Sequence, residues 1–401
     1  MSSSPKRILF ISNGHGEDNH SSYVIETLLE LYPDLDISAM PIVGEGNAYR
    51  RLNVPIIGPT QNMPSGGFSY INRWRFLTDL QAGLIGLAWQ QLKAVWQYAP
   101  TCDLIMATGD TVSQGFAYST GYPYVSFISC LSSLYEGKLY IGPFIGRFLR
   151  SPKCLAVVTR DPYTAQDLKK QGITKAKFGG IPSLDKLIPT GKDLHLKSDL
   201  PMVALLPGSR LPEAVRNFKL QLNLILEIIK VMPPNQIQFR AALVPKVMEQ
   251  LDEIAISEGW QNSEGKLTYK SGEGIAEVEC YSDAFSDILH NCTLMLGMAG
   301  LAVDQGVALG KPVIQVPGEG PQFTYEFAEA QTRLIGLCAQ TIGTGPATPE
   351  TLRQAAKKVV ETVNNQDYLA ACKEEGQNRF GPPGASVRIA NLLLNYMGVE
   401  L

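Results

Sequence analysis

Short runs of uninterrupted apolar residues alternate with stretches of helical periodicity along almost the whole chain. In the first half the apolar runs predict strands at 7–11, 36–40, 104–107, 124–128 and 155–159. After the first of them, Val24, Ile25, Leu28 and Leu29 recur at the spacing that places them on one face of a helix. Asp161 and Pro162 open another helix, since proline's fixed φ and missing N–H suit the first helical position, and Gly172 closes it. Strands that are apolar throughout and separated by helices predict a parallel sheet covered on both faces.

From 187 to 200 this pattern lapses into Pro189, Gly191, Lys192, Asp193, Lys197 and Asp199, a polar, turn-rich break that reads as an interdomain linker. The alternation then restarts, with strands predicted at 202–206, 238–243, 277–281, 293–296 and 312–316 and a helix over 213–231. From about Pro349 the chain reads as helical, broken by Gly381-Pro-Pro-Gly384. The expected domains are 1–186 and 201–380, with 187–200 between them and a last helix, 381–401, packing back toward the first domain. No sequence repeat links the halves, yet both read as α/β, doubly wound domains. Two such domains in tandem are expected to face a cleft at the carboxyl ends of their sheets, where these folds bind ligands.

Composition narrows the classes. With 401 residues, 45% hydrophobic and 18% charged, the chain can bury two cores and is not a disordered or coiled-coil sequence. A net charge of −3 gives no global basic field, so nucleic acid is not an expected partner. The seven cysteines show no C-x-x-C spacing, which suggests neither a disulfide framework nor a zinc site. The early apolar run at 8–11 is too short for a signal-peptide core, and no stretch approaches the ~18 apolar residues of a membrane span. A cytoplasmic enzyme, peripheral on the inner membrane face if it meets a membrane, is the expectation.

Four loops carry candidate chemistry. The first strand runs into Gly14-His15-Gly16-Glu17-Asp18 ahead of a helix. Gly14 and Gly16 allow a ligand close to the backbone, and the helix start presents unpaired N–H groups. His15 or Asp18 reads as a general base, against the plainer reading of Asp18 or Ser21 as a helix cap. Asp110, after the strand at 104–107, reads either as a cap or as the partner of Asp18 in a carboxylate pair. Pro207-Gly208-Ser209-Arg210 suits a diphosphate cradle, with a tight turn and a solvated arginine as the alternative. In the stretch 296–313, Gly297-Met298-Ala299-Gly300 opens a helix of small residues, and Gln305 lies one turn in, within reach of a ribose diol.

The stretch 296–313 resembles the donor-nucleotide signature of GT-B glycosyltransferases. The string from Leu205 to Arg210 is similar to the matching loop of the lipid-A-disaccharide synthase family, and Gly16-Glu17-Asp18 resembles that family's amino-terminal loop. Phe178-Gly179-Gly180-Ile181-Pro182 falls where that family leaves its first domain. The resemblance implies two Rossmann-like domains in the GT-B arrangement. It implies that Ser209, Arg210, Met298, Ala299 and Gly300 contact a UDP diphosphate, and that Gln305 stands where a glutamate usually grips the ribose. It places Gln322 near the donor sugar and Asp18 and Asp110 at catalytic or acceptor-side positions. His15 is similar to the histidine in the glycine loop of the peptidoglycan N-acetylglucosaminyltransferase. It further implies a UDP-sugar co-substrate, no other cofactor and no metal.

Two stretches, 68–98 and 134–153, interleave aromatic and basic residues: Phe68, Tyr70, Arg73, Trp74, Trp89 and Trp96 in the first, Tyr140, Phe144, Arg147 and Lys153 in the second. Such a surface suits a membrane's headgroup layer; a core helix or a homodimer contact is the competing reading. The expected function is an inverting transfer of sugar from a UDP-sugar to a lipid or lipid-linked acceptor. A UDP-sugar 2-epimerase, or a nucleotide-sugar-binding relative without activity, is the alternative.

Overall fold

The computed structural model describes residues 5–61 and 84–399, in two compact units: Met1–Lys186 with Pro382–Leu401, and Leu187–Gly381. The first holds six parallel strands, β1 (Arg7–Ser12), β2 (Asp36–Pro41), β3 (Leu104–Thr108), β4 (Tyr124–Ile128), β5 (Cys154–Thr159) and β6 (Ala176–Phe178), in the order β2-β1-β3-β4-β5-β6. Its strands are sequestered on both sides because successive residues serve two cores. Ile8 and Phe10 pack with Val24, Ile25 and Leu28 of helix His15–Leu31, while Leu9 and Ile11 pack with Ile105, Ala107 and Val157. Each such side chain contributes about 1.5–3 kcal/mol on burial.

The last helix, Ala385–Tyr396, belongs to this unit: Ile389, Leu393 and Leu394 join the core beneath His15–Leu31. Asp185 fixes its start by accepting the N–H groups of Gly384 (2.6 Å), Ala385 (3.1 Å) and Ser386 (2.6 Å).

The second unit carries β7 (Met202–Leu206), β8 (Gln238–Ala242), β9 (Gln261–Ser263), β10 (Lys266–Ser271), β11 (Gly274–Tyr281), β12 (Leu294–Gly297), β13 (Val313–Gln315) and β14 (Ala339–Thr341). Their order is β14-β13-β12-β7-β8-β11-β10-β9. Helix Glu213–Val231 buries Phe218, Leu222, Ile225 and Ile229 against Val203, Leu205 and Phe239, and Ala355 and Ala356 let helix Pro349–Asn364 approach the same core. The sheet is mixed rather than wholly parallel, because β10 pairs antiparallel with β9 and β11. The strand β10 alternates polar Lys266, Thr268 and Lys270 with Leu267 and Tyr269, so it makes no continuous apolar run. Residues 187–200 form no strand or helix and are tied into this unit. Arg240 donates to the Leu194 and His195 carbonyls at 2.6 and 2.9 Å, and Asp287 accepts Thr190 Oγ1 and the Gly191 N–H, both at 2.8 Å.

Candidate functional site

In each sheet the order of strands reverses direction at one point, where loops diverge and leave room for a ligand. In the first sheet that point lies between β1 and β3; in the second it lies between β7 and β12. The four loops singled out by sequence leave the carboxyl ends of these four strands.

In the first unit, Gly14 is the N-cap of helix His15–Leu31 and no side chain caps it, so neither Asp18 nor Ser21 does so. Asp18 is instead buried, 1% exposed. Its Oδ1 accepts the Ser12 hydroxyl at 2.5 Å, and Ser12 in turn accepts the Tyr49 hydroxyl at 2.6 Å. Among the described residues Oδ2 has no hydrogen-bond partner. Burial pushes the Asp18 carboxyl up to about 7, with the Ser12 hydrogen bond opposing and the nearby Glu17 charge adding to the rise. A carboxylate poised there exchanges protons at neutral pH.

His15 is exposed at the helix start, and its ring lies against Gly44, where φ is +88° and any Cβ would collide with the imidazole. The Gly16 Cα faces open space. Asp110 caps helix Thr111–Thr120 by accepting the Val112 N–H at 2.9 Å. Asp110 thus takes the capping role that its place in the sequence also allowed, and the charge acting on Asp18 is that of Glu17. The two loops nevertheless meet, since a Cβ on Gly109 (φ +125°) would stand 2.9 Å from Asn13 Cβ and 3.2 Å from Glu17 Cγ.

Several residues of this edge were not assigned a role from the sequence, although Ser12 and His20 belong to the loop it singled out. Ser12 and Tyr49 are ordinary in sequence and meet only in the fold. Cys130, after β4, donates to Glu17 Oε1 at 2.8 Å. His20 lies fully inside, its ring edge on Phe127, and burial holds it neutral, down to about 3, with Arg160 adding to the effect.

In the second unit, the loops after β7 and β12 are pressed together. The Met298 N–H donates to the Leu206 carbonyl at 2.8 Å, and Gly208 (φ +99°) has no room for a relaxed side chain because a Cβ would lie 3.1 Å from the Met298 carbonyl. Ser209 and Arg210 are exposed beyond this contact, and Met298 is buried behind it. Gly300 is the N-cap of helix Leu301–Ala308, and its carbonyl accepts Gln331 Nε2 at 2.9 Å. Ala299 and Gly300 stay partly open, whereas Gln305 is buried within that helix at 8% exposure. A third loop joins them. Glu213, buried, accepts the Gln322 N–H at 3.1 Å and the Phe323 N–H at 2.6 Å, and Arg216 donates to the Gly320 carbonyl at 2.6 Å. Sequence reasoning picked out Gln322 but not Glu213, the residue that holds its loop. A hydroxyl, a guanidinium and glycine-rich backbone on three converging loops suit an anionic ligand.

The first unit also bears an apolar face with cations in it. Helices Leu84–Tyr98 and Pro143–Arg150 flank Thr111–Thr120, joined by a Trp96 Nε1 to Ser119 Oγ bond of 2.9 Å and a Tyr118–Phe148 stack of 4.8 Å. Ile85 is 70% exposed, Phe144 75% and Tyr140 83%, and Lys93 sits 5.4 Å over the Trp89 ring. Phe68, Tyr70, Arg73 and Trp74 lie outside the described residues. No helix of the described residues is long and apolar enough to cross a membrane.

Two α/β units with parallel cores and these strand orders make the fold shared by GT-B glycosyltransferases and UDP-GlcNAc 2-epimerases. Among solved structures, MurG from Acinetobacter baumannii has a TM-score of 0.61 at 13% identity, over 98% of this chain and 100% of that one. CalG4, the calicheamicin glycosyltransferase, has 0.61 at 13%, over 99% of each chain. The UDP-GlcNAc 2-epimerase from Neisseria meningitidis, solved bound to UDP-GlcNAc, has 0.52 at 14%, over 97% and 100%. At these identities the likeness is one of fold. No family model and no curated protein matches the sequence.

Proposed function

We propose that the chain is an inverting glycosyltransferase that moves a sugar from a UDP-sugar, of the UDP-GlcNAc type, to a lipid or lipid-linked acceptor at the cytosolic membrane face. The observation that carries this reading is the placement of Ser209, Arg210 and Met298–Gly300 at the switch point of the second sheet, with Gln322 on the adjoining loop. The second unit holds the nucleotide: Arg210, Ser209 and the Ala299–Gly300 backbone take the diphosphate, Gln305 stands on the ribose side and Gln322 on the sugar side. The first unit supplies the base. The acceptor O–H bond breaks as its proton passes to Asp18 Oδ2, and the oxygen bonds the anomeric carbon. The bond from that carbon to the diphosphate breaks, and UDP leaves with the electron pair. Arg210 stabilises the charge gathering on the leaving group. His15, exposed beside Gly14 and Gly16, orients the acceptor, and Asp110 fixes the neighbouring loop. The apolar, lysine-bearing face around Ile85, Trp89 and Phe144 supports an acceptor presented at an anionic lipid surface.

A 2-epimerase is the second reading, favoured by the fold likeness to the meningococcal enzyme that binds UDP-GlcNAc. Incubation with UDP-GlcNAc labelled in the sugar separates the two. Label moving into the organic phase only when lipid-linked acceptor is present supports transfer, and epimerised nucleotide sugar without acceptor would overturn it. Thermal shifts with UDP, GDP and TDP test the donor assignment, and no response to UDP would remove it.

A further inference from the structure

Resting on the reading of Asp18 as the base, we infer that Ser12 and Tyr49 are positioning residues that commit one carboxylate oxygen of Asp18 and leave the other to take the proton. The hydrogen bonds run one way. Ser12 has a single hydroxyl proton and gives it to Asp18 Oδ1 at 2.5 Å, so its remaining lone pairs accept from Tyr49 at 2.6 Å. Both donors point toward the carboxylate, an arrangement suited to its ionised form, and neither proton needs to move when Oδ2 accepts one. Ser12, Asp18 and Tyr49 are each at most 1% exposed, so water does not substitute for either hydroxyl. Tyr49 cannot itself be the base, because burial pushes its phenol far above neutral pH.

Three separate pieces of chain build this arrangement. Ser12 is the last residue of β1. Asp18 lies in the first turn of helix His15–Leu31, and Tyr49 in the short helix Asn47–Arg51. That short helix is set by Gly46, whose φ is +66° and where a Cβ would stand 2.6 Å from Pro41 Cγ and 2.9 Å from Ile56 Cδ1.

The other polar groups around Asp18 are engaged or uncharged. Glu17, on the same helix, accepts from Cys130 and raises the Asp18 proton affinity. His20 is neutral, and Ser21 donates to Thr108 on β3 at 2.9 Å. Arg51, on the short helix, donates to the Asn19 side chain at 3.3 Å. Arg388, on the helix packed beneath, donates to the carbonyls of Gly179, Pro382 and Pro383. Lys186 pairs with Glu26, further along helix His15–Leu31.

The test is a pH titration of the full chain by difference infrared spectroscopy, following the carboxylic-acid band that Asp18→Asn abolishes. The wild-type midpoint is expected near about 7. Ser12→Ala should move it alkaline by about one pH unit, the size expected when a charged group loses one hydrogen bond. Ser12→Thr, which keeps the hydroxyl, should restore it, and Tyr49→Phe should move it the same way by less. An unmoved midpoint in folded Ser12→Ala and Tyr49→Phe would overturn the inference, and if Ser12→Ala does not fold, Tyr49→Phe alone decides. The acid limb of kcat/KM for sugar transfer, measured on the same variants, should track the infrared midpoint. Infrared shifts without any transfer activity would keep the positioning role while removing the transferase reading.

Discussion

Replacing Asp18 with Asn should make the protein more stable at pH 8 and less stable, by about 1–3 kcal/mol, near pH 4. The carboxyl is raised by burial from an ordinary 3.8 to about 7, so between these values the folded chain holds a proton that the unfolded chain has released. Stability therefore declines as pH rises through that window and levels off above about 7. The gap is about three pH units, and at 1.36 kcal/mol per unit the ionised carboxylate costs the native state about 4 kcal/mol at pH 8. Asparagine carries no such penalty. Its side-chain oxygen still accepts from Ser12, while its amide sits where Oδ2 has no partner, a loss of about 1–3 kcal/mol that does not vary with pH. Urea unfolding of both proteins at half-unit intervals from pH 4 to pH 8.5, followed by a probe on the first unit, measures the difference. The expected trace is a difference that grows by several kcal/mol across the interval and then flattens. A difference independent of pH would refute the argument, because it would mean that Asp18 titrates in the native state much as it does in the unfolded chain.

Three further outcomes follow from the second unit and from the apolar face. Arg210→Ala should weaken UDP binding by about 10- to 100-fold, as loss of a charge-assisted hydrogen bond does, and leave uridine binding unchanged in titration calorimetry. Glu213→Ala removes the acceptor of the Gln322 and Phe323 N–H groups, so hydrogen exchange of a peptide spanning 318–324 should quicken by about 30-fold for a local loss of about 2 kcal/mol. Replacing Ile85 and Phe144 together with Asp should abolish co-sedimentation with vesicles containing anionic phosphatidylglycerol and spare UDP binding; retained co-sedimentation would place the lipid contact elsewhere.

Much of the architecture was legible because parallel strands buried on both faces write themselves as apolar runs. Those at 124–128 and 202–206 match β4 and β7 residue for residue, and the helix at 213–231 matches as well. The strand β10 was not legible, since its residues alternate between buried Leu267 and more open polar positions and make no apolar run. Of the site, what could be read were loops containing glycine next to a charged residue. What could not be read was the state of each side chain. Asp18 and Asp110 look alike in sequence, each a carboxylate at a strand–helix junction. One is buried beside Ser12 and Tyr49, and the other accepts a helix N–H. Ser12, which binds Asp18, is six positions before it, but Tyr49, which binds Ser12 in turn, is 31 positions after Asp18 and is brought there only by the fold.

The two units divide charge management in a way that follows from what lies at each switch point. At the first, two titratable groups are withdrawn behind the exposed His15: Asp18 and His20 are buried, and burial shifts both toward the neutral form. At the second, Ser209 and Arg210 are exposed on backbone flanked by the Met298 N–H bond to Leu206 and the Ala214 N–H bond to Arg210, and the guanidinium keeps its charge at any working pH. A desolvated carboxylate is suited to gaining and losing a proton, because a small change of surroundings shifts its balance. A fixed cation on a stiff loop is suited to meeting a negative charge already present on a diphosphate and growing as the bond to sugar breaks. Exchanging the two would serve neither end: a titratable group at the diphosphate would lose charge with pH, and an arginine in the Asp18 position could not accept a proton. The strand orders put a buried carboxylate in one unit and an exposed arginine in the other at equivalent topological positions, the division of labour that the proposed transfer would use.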